Sequence, residues 1–519
     1  MSEQSKQRFR FSEAPIWDLQ RAYYEEQGMN AWNNDGVPQY ITSNPMIATA
    51  YAEMIFGFLQ DRSGSGQNTE PVTIVELGAG AGRLAFHILN KLCELIDYAG
   101  IPFPPFRYVM TDLAESNIVA WKNHLSLQPF IEQGILDFAI FDAVNDSELK
   151  LVVSNETIQQ GDLKQPLLIV ANYFFDSIPQ DLIYVGDGNI FECDVVIDYA
   201  NNQSLLNPAE ALKQLSLTYE YRRAPEYEDD TYPYSELITL YVQELEDSHI
   251  LFPSVGLTCL ERLNKLSHEG FVLITADKGD HRLDNWKFAE PPEIIHHGSI
   301  SLTANYHAIE FVIKQKGGEA LFTQHHYKNL NVGCMFMSES SSSYINTKLA
   351  YKRFIDRFGP DDFFSLKEWV DQHSETMEPR QLLAFWRLGG YDSEFFIHNI
   401  TSISSHALDV SDEEKLDIQL GIHKMWNSYY QIEQQHTLAQ QVGLLLFELD
   451  LFVDAKQFLE ISVATEEGAK TSDILYSLAI CCYELELEDA LLDYLKQVLV
   501  LEPHHEEALQ LIDSLRDEV

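Results

Sequence analysis

The chain has 519 residues, 45% of them apolar, and carries 80 acidic against 35 basic side chains for a net formal charge of -45. That length fits about two to four domains, and the apolar share can build packed cores, which excludes a wholly disordered chain. So negative a field repels nucleic-acid phosphates and anionic membrane surfaces and attracts cationic partners, so neither a nucleic acid nor a membrane is expected as partner.

The six cysteines, at 93, 193, 259, 334, 481 and 482, include no CxxC pair and no zinc spacing. No metal is expected, and the pattern suits a reducing compartment. The opening MSEQSKQRFRFSEAP has no apolar signal core, and no apolar run of about 18 residues occurs. A soluble, cytoplasmic protein is the expectation.

In chain order, residues 1–70 read as a helical segment contributing to the active site. Tyr23 and Tyr24 precede a loop, NAWNNDGVPQYITSNP, and a helix follows over Met46–Gln60. The polar stretch DRSGSGQNTEP is a connector. Over 71–337 short apolar runs alternate with amphipathic stretches: VTIVEL, a helix at 83–97, RYVMTDL, a helix at 115–127, LDFAIFDA, and LLIVANYFFD. This alternation predicts an α/β fold, a doubly wound, Rossmann-like parallel sheet. An insertion or lid is expected near 195–265, irregular and rich in tyrosine and acids over 195–234. The sheet resumes at FVLITADKGD and closes with EALFT and VGCMFM.

A serine-rich stretch, SESSSSYIN at 338–346, is the expected linker. Residues 347–519 read as all-α. Within 438–510, FELDLFVDAKQFLEIS resembles YELELEDALLDYLKQV: Phe447 and Tyr483 are 36 apart, Ala455 and Ala490 are 35 apart. That is close to the ~34-residue tetratricopeptide period, and a generic helical bundle is the alternative. Cys481 and Cys482 fall at core positions of this pattern.

The segment VTIVELGAGAGRLAFHIL carries the chemistry. Glu76 precedes Gly78, Gly80 and Gly82 between a buried strand and a helix. Glycines there let a ligand approach the backbone, and the helix N-terminus offers unpaired N–H groups. The spacing GxGxG differs from the dinucleotide GxGxxG. An acid two residues before the first glycine suits a ligand without phosphates, such as S-adenosylmethionine with its cationic ammonium and sulfonium. Asp112, with Leu113 beside it, ends the next strand, where an acid can accept from both ribose hydroxyls. Asp142, followed by Ala143, ends the third, where an adenine amine would sit, and Asn172 ends the fourth. Ligands bind at these carboxyl ends in open α/β sheets.

These stretches resemble the class I methyltransferase fold and, within it, the MidA-like family, which includes the mitochondrial complex I assembly methyltransferase. Tyr40-Ile41-Thr42-Ser43-Asn44-Pro45 resembles the family's segment upstream of the glycine turn. Glu76-Leu77-Gly78-Ala79-Gly80-Ala81-Gly82 matches its cofactor turn, with Ala79 where proline is usual. Asn172-Tyr173-Phe174-Phe175-Asp176-Ser177-Ile178-Pro179 matches Asn-Glu-Phe-Phe-Asp-Ala-x-Pro. Asp277-Lys278-Gly279 resembles a late Asp-Tyr-Gly, and Ser301-Leu302-Thr303-Ala304 a downstream turn. The resemblance covers roughly 15–337 and implies S-adenosylmethionine as cofactor, with Thr42 and Ser43 in its site.

Two departures bear on the acceptor: Tyr173 stands for the family's glutamate and Lys278 for its tyrosine. The base expected to assist is Asp176, with Asn172 near the acceptor and Asp277 second. Tyr219, Tyr221 and Tyr227 could wall a cation, or simply pack. His281, His296, His297, His325 and His326 have no metal-ligand spacing. The expected function is methylation of a protein or peptide, basic in character and possibly at arginine, recruited by the helical region. Two alternatives stand: a small-molecule methyltransferase whose helical region dimerises it, or a noncatalytic interaction protein on the same fold.

Overall fold

The computed structural model describes residues 7–32, 39–64, 66, 69–197, 208, 210, 212, 217–292, 295–296, 300–338, 343–405, 410–432, 437–466 and 468–517. The chain divides into two compact units, Met1–Ser365 and Leu366–Val519.

The first unit is built on a seven-stranded sheet: β1 Val72–Leu77, β2 Phe106–Asp112, β3 Leu136–Ile140, β4 Leu167–Asn172, β5 Phe271–Asp277, β6 Glu319–Leu321 and β7 Asn331–Met337. The spatial order is β6-β7-β5-β4-β1-β2-β3. β1 to β5 pair in parallel, and β7 pairs antiparallel with both β5 and β6. β1 is buried at all six positions, as a strand covered on both faces must be, which is why it reads as a mostly apolar run with Thr73 and Glu76 as its polar members. The chain leaves β1 toward β2 on one side and returns to β4 on the other, so a crevice opens at their carboxyl ends.

Helices Pro45–Gly64 and Arg83–Ala99 pack against each other beside this sheet. Gly82, at φ 82, leads into the second helix, and Gly100, at φ 60, ends it with its N–H on the Ile96 carbonyl. The helix expected over 115–127 runs Glu115–Asn123; His124 then breaks it, and its Nδ1 accepts from Ser126 N at 3.2 Å to start a short 3-10 turn.

A smaller antiparallel sheet takes up parts of the irregular lid expected over 195–234, at 195–197 and 217–223. Asn189–Ile197 pairs along one edge with Leu217–Arg223. Along the other edge it pairs first with Asp181–Gly186 and then with Gln7–Phe9. Ser248–Phe252 extends the sheet beyond Asp181–Gly186. Leu217, Tyr219 and Tyr221 alternate with Thr218, Glu220 and Arg222, a strand period masked in the sequence by the density of charges and tyrosines. The rest of the expected lid, over 198–216, lies almost wholly outside the described residues. The N-terminal segment likewise opens with a strand rather than being helical throughout.

Residues 339–342 of the expected linker lie outside the described residues. Its far end is packed: Tyr344, 1% exposed, stacks on Phe58 at 5.7 Å and Phe336 at 5.2 Å. Helix Ile345–Tyr351 belongs to the first unit, and the division falls at Leu366, inside helix Pro360–His373, rather than at 347.

The second unit is all helical over its described residues. Helices Leu438–Glu448 and Phe452–Thr465 pack as a pair, as do Ser472–Glu484 and Glu488–Leu501. Equivalent buried positions lie 36 apart, not 35: Leu446 with Cys482, Ala455 with Leu491, Leu459 with Leu495. The two turns repeat a left-handed backbone at the equivalent position, Asp450 at φ 62 and Glu486 at φ 57. Helices Ser393–Ser405 and Asp412–Asn427 precede them, the latter burying Ile418, Gly421, Ile422 and Met425.

Candidate active site

A cavity of about 660 Å³ lies at the β1/β4 crevice. The sequence dictates its floor. β1 runs into a turn through Gly78 and Gly80, at φ 66 and φ 56, a left-handed backbone that only glycine adopts without strain. The turn is latched to β2: Ala79 N donates to the Thr111 carbonyl at 2.8 Å, and Gly80 N to Asp112 Oδ2 at 3.0 Å. Asp112 Oδ1 accepts from Ala114 N at 3.0 Å. Each carboxylate oxygen has a second lone pair, so both can still accept from a pair of ribose hydroxyls.

Glu76 is 3% exposed and lines the cavity. Its carboxyl is pushed up to about 8, chiefly by burial and further by Asp112, against the Tyr108 hydroxyl that donates to it at 3.0 Å. A buried carboxyl that has, among the described residues, one hydrogen bond and no cation beside it suits a cationic ligand group, such as the ammonium of S-adenosylmethionine.

Of the expected cofactor residues, Thr42, Ser43, Glu76, Gly78, Gly80, Asp112, Leu113, Asp142, Ala143 and Asn172 all line the cavity. Gly82 does not; it caps the Arg83–Ala99 helix, whose first residues Arg83 and Leu84 do. Asp142 accepts from Arg21 Nη2 at 2.8 Å, Val144 N at 2.9 Å and Asn145 Nδ2 at 2.9 Å. Burial alone would raise its carboxyl, but Arg21 and these donors outweigh it and hold it below the usual range.

The three residues expected to act on the acceptor separate. Asn172 lines the cavity, with both ends of its amide engaged: Oδ1 accepts from Tyr51 at 2.6 Å and Nδ2 donates to the Thr42 carbonyl at 3.1 Å. It ties β4 to the Thr42 segment. Asp176 and Asp277 are 2% and 0% exposed and do not line the cavity. They form a buried carboxyl pair, with Tyr306 donating to Asp277 Oδ2 at 2.8 Å. Burial holds both above the usual carboxylate range, and for Asp277 the adjacent Asp176 adds to it. The reason lies in the turn after β4. Tyr173 takes a left-handed φ of 48, which presents Tyr173 and Phe174 to the cavity and sinks Phe175 and Asp176 into the core.

The tyrosines expected as a cation wall also lie elsewhere. Tyr219, Tyr221 and Tyr227 belong to the smaller sheet and its border; none lines the cavity. Tyr227 donates to Glu192, and Tyr221 bonds the His249 ring at 2.8 Å. Of the noted histidines, His281 stacks on Phe322 at 4.5 Å, and His297 lies outside the described residues.

The opposite wall comes from the N-terminal segment, as expected, but the sequence did not single out which of its side chains would form it. Ser12, Glu13, Trp17, Asp18, Arg21, Tyr24 and Trp32 all line the cavity from the N-terminal segment. Trp32 stacks on Tyr24 at 5.8 Å and sits so close to the glycine turn that a Cβ on Gly80 would meet it at 2.8 Å. Tyr23 and Tyr24 stood out in the sequence, but nothing local reports contacts across so many intervening residues.

Residues 57–281 match the model of a family described as "Putative S-adenosyl-L-methionine-dependent methyltransferase". Among curated proteins none matches the chain. Solved structures with a partial likeness include one from Burkholderia thailandensis bound to S-adenosyl-homocysteine, at 17% identity and TM-score 0.38, covering 61% of this chain and 74% of that one. Another is magnesium protoporphyrin IX methyltransferase from Synechocystis with bound SAM, at 9% identity and TM-score 0.27, covering 62% and 97%. Those likenesses are too low to carry an assignment. The family match does carry one, and it falls on the segment that holds the glycine turn, Glu76 and Asp112. The chain is an S-adenosylmethionine-dependent methyltransferase, and S-adenosylmethionine is its cofactor.

Proposed function

We propose that the acceptor is a protein or peptide carrying a cationic nitrogen, an amine or an arginine guanidinium. The observation that carries this reading is the N-terminal wall of the cavity, where Trp17 and Tyr24 stand with the exposed carboxylates of Glu13 and Asp18. Aromatic faces and carboxylates together favour a cation over a neutral or anionic group. Tyr173 is held above its ordinary range, chiefly by burial and then by Asp176 and Asp277, so at neutral pH it is a hydroxyl donor and not a base.

When bound, the cofactor supplies a methyl group made electrophilic by the sulfonium. The chain's own residues hold the acceptor in line and exclude water, which accounts for most of what such a transfer needs. Asn172 fixes the Thr42 segment at the rim, and the rim carboxylates orient the cation. The buried Asp176–Asp277 pair supports the turn that carries Tyr173.

The second unit supports a macromolecular acceptor. Residues 366–519 hold 30 acidic and nine basic residues, a net formal charge of -21, on helix pairs of a kind that makes extended binding surfaces. In this reading that unit recruits the basic substrate in a cytoplasmic setting. The test is incubation with methyl-labelled cofactor and a fractionated lysate. Label in protein, lost when basic peptides compete, is expected. Label confined to small metabolites would overturn the protein reading.

A further inference from the structure

The turn after β3 is braced by a residue far away in the sequence. Arg21 lies on helix Ile16–Gln27, and its Nη2 donates to Asp142 Oδ2 at 2.8 Å. Both residues line the cavity. The turn's backbone is held independently of that pair: Asp142 N donates to Asp146 Oδ2 at 2.7 Å, and Arg262 donates to the carbonyls of Ala143 and Val144. Arg21 therefore adds little to the path of the turn. What it fixes is the direction of one carboxylate.

The helix carrying Arg21 is itself anchored. Gln20 Nε2 donates to the Ser177 carbonyl at 2.9 Å, and Trp17 Nε1 to the Phe11 carbonyl at 2.7 Å. Just upstream, Arg10 and Ser12 both bond Asp181, at 2.7 and 2.5 Å. A guanidinium on an anchored helix is a fixed counter-charge rather than a wandering surface cation, although its side chain is 37% exposed. Asp142, at 16%, is shielded enough for that charge to matter.

We infer that Arg21 is a positioning residue for cofactor recognition: by holding the Asp142 carboxylate in one orientation at the cavity wall, it makes that carboxylate select a base with an exocyclic amine. The inference rests on the reading that Asp142 meets the adenine. A carboxylate placed at the 6-position accepts from a 6-amino group but opposes a 6-oxo oxygen, and the oxo base's own donor lies one atom away at N1–H. Without Arg21 the carboxylate keeps only its bonds from Val144 N and Asn145 Nδ2 and is freer to swing toward solvent, and the preference for the amine weakens. The base-recognition half of the site is thus completed by a segment outside the family-matched residues 57–281.

The test is calorimetric binding of S-adenosylhomocysteine and its 6-oxo analogue, S-inosylhomocysteine, to the full chain and to Arg21→Met, Arg21→Lys and Asp142→Ala. Arg21→Met should weaken the amino ligand about ten- to a hundredfold, the range for losing a charge-assisted hydrogen bond, and leave the oxo ligand nearly unchanged. Arg21→Lys should recover part of the discrimination, with melting temperatures close to that of the parent. If Arg21→Met costs folding, Arg21→Gln, which keeps a donor without the charge, should narrow the discrimination in the same direction. Equal weakening of both ligands, or of neither, while Asp142→Ala removes the discrimination, overturns the role of Arg21 alone. Unchanged discrimination in Asp142→Ala would show that the adenine does not meet Asp142, and the inference falls with that placement.

Discussion

Glu76 is the residue on which pH should act most directly. Its carboxyl is raised from an ordinary value of 4.5 to about 8, so at neutral pH the free protein holds a proton there. A cationic ammonium beside it favours the carboxylate, so binding must release that proton. Affinity for S-adenosylhomocysteine should therefore rise with pH, by up to about tenfold per unit, and level off above about 8. Calorimetry at pH 7 in two buffers of different ionisation enthalpy should read proton release, and Glu76→Gln should abolish it. The stability term has a definite sign. A carboxyl raised in the folded state favours folding fully below about 4.5, and that contribution is lost as pH rises through about 8. The melting temperature of the free protein should accordingly fall between pH 6 and 9 by more than that of Glu76→Gln.

Gly80 answers to two separate constraints. Its φ of 56 would cost an alanine about 1–2 kcal/mol, and the new Cβ would also sit 2.8 Å from the Trp32 ring. Gly80→Ala should lose cofactor affinity and lower the melting temperature. Adding Trp32→Leu should relieve the clash but not the backbone strain, so stability recovers only in part. Full recovery would mean that the strain is negligible.

At the scale of elements, the parallel strands were legible because each is a short apolar run bounded by turn residues. The acids at their carboxyl ends were legible from spacing alone. The smaller sheet was not, because strand Leu217–Arg223 is partly exposed and crowded with charges and tyrosines, and strand Gln7–Phe9 is only three residues long. Asp176 was misplaced for a different reason: a position after β4 says nothing of which way the side chain points, and Tyr173 at φ 48 decides that. The expected linker hides a similar case. Asp61, on helix Pro45–Gly64, accepts from Asn346 N at 2.9 Å and Thr347 N at 3.0 Å, and so caps helix Ile345–Tyr351 from outside. No local capping signal could have shown it. Asp61→Ala should cost about 0.5–2 kcal/mol, the usual worth of a cap. It should appear as a lower denaturation midpoint with cofactor affinity unchanged, since Asp61 does not line the cavity.

For the whole molecule, the two units predict separable functions. Every residue lining the cavity falls between Ser12 and Pro179, inside the first unit. The net charge of -21 over 366–519 belongs to the other. A chain ending at His373 keeps helix Pro360–His373 whole and removes the helix pairs. It should bind S-adenosylhomocysteine within about twofold of the full chain, because nothing in its cofactor cavity is lost. Its kcat/KM on a basic protein acceptor should fall, mostly through KM, because recruitment contributes ground-state binding rather than transition-state contacts. A short peptide that spans only the cavity should be methylated equally well by both chains. If the shortened chain binds the cofactor normally and methylates large and small acceptors as well as the full chain, the helical unit does not recruit substrate. If it loses the cofactor as well, the two units are not independent, and the acidic helices support the catalytic fold itself.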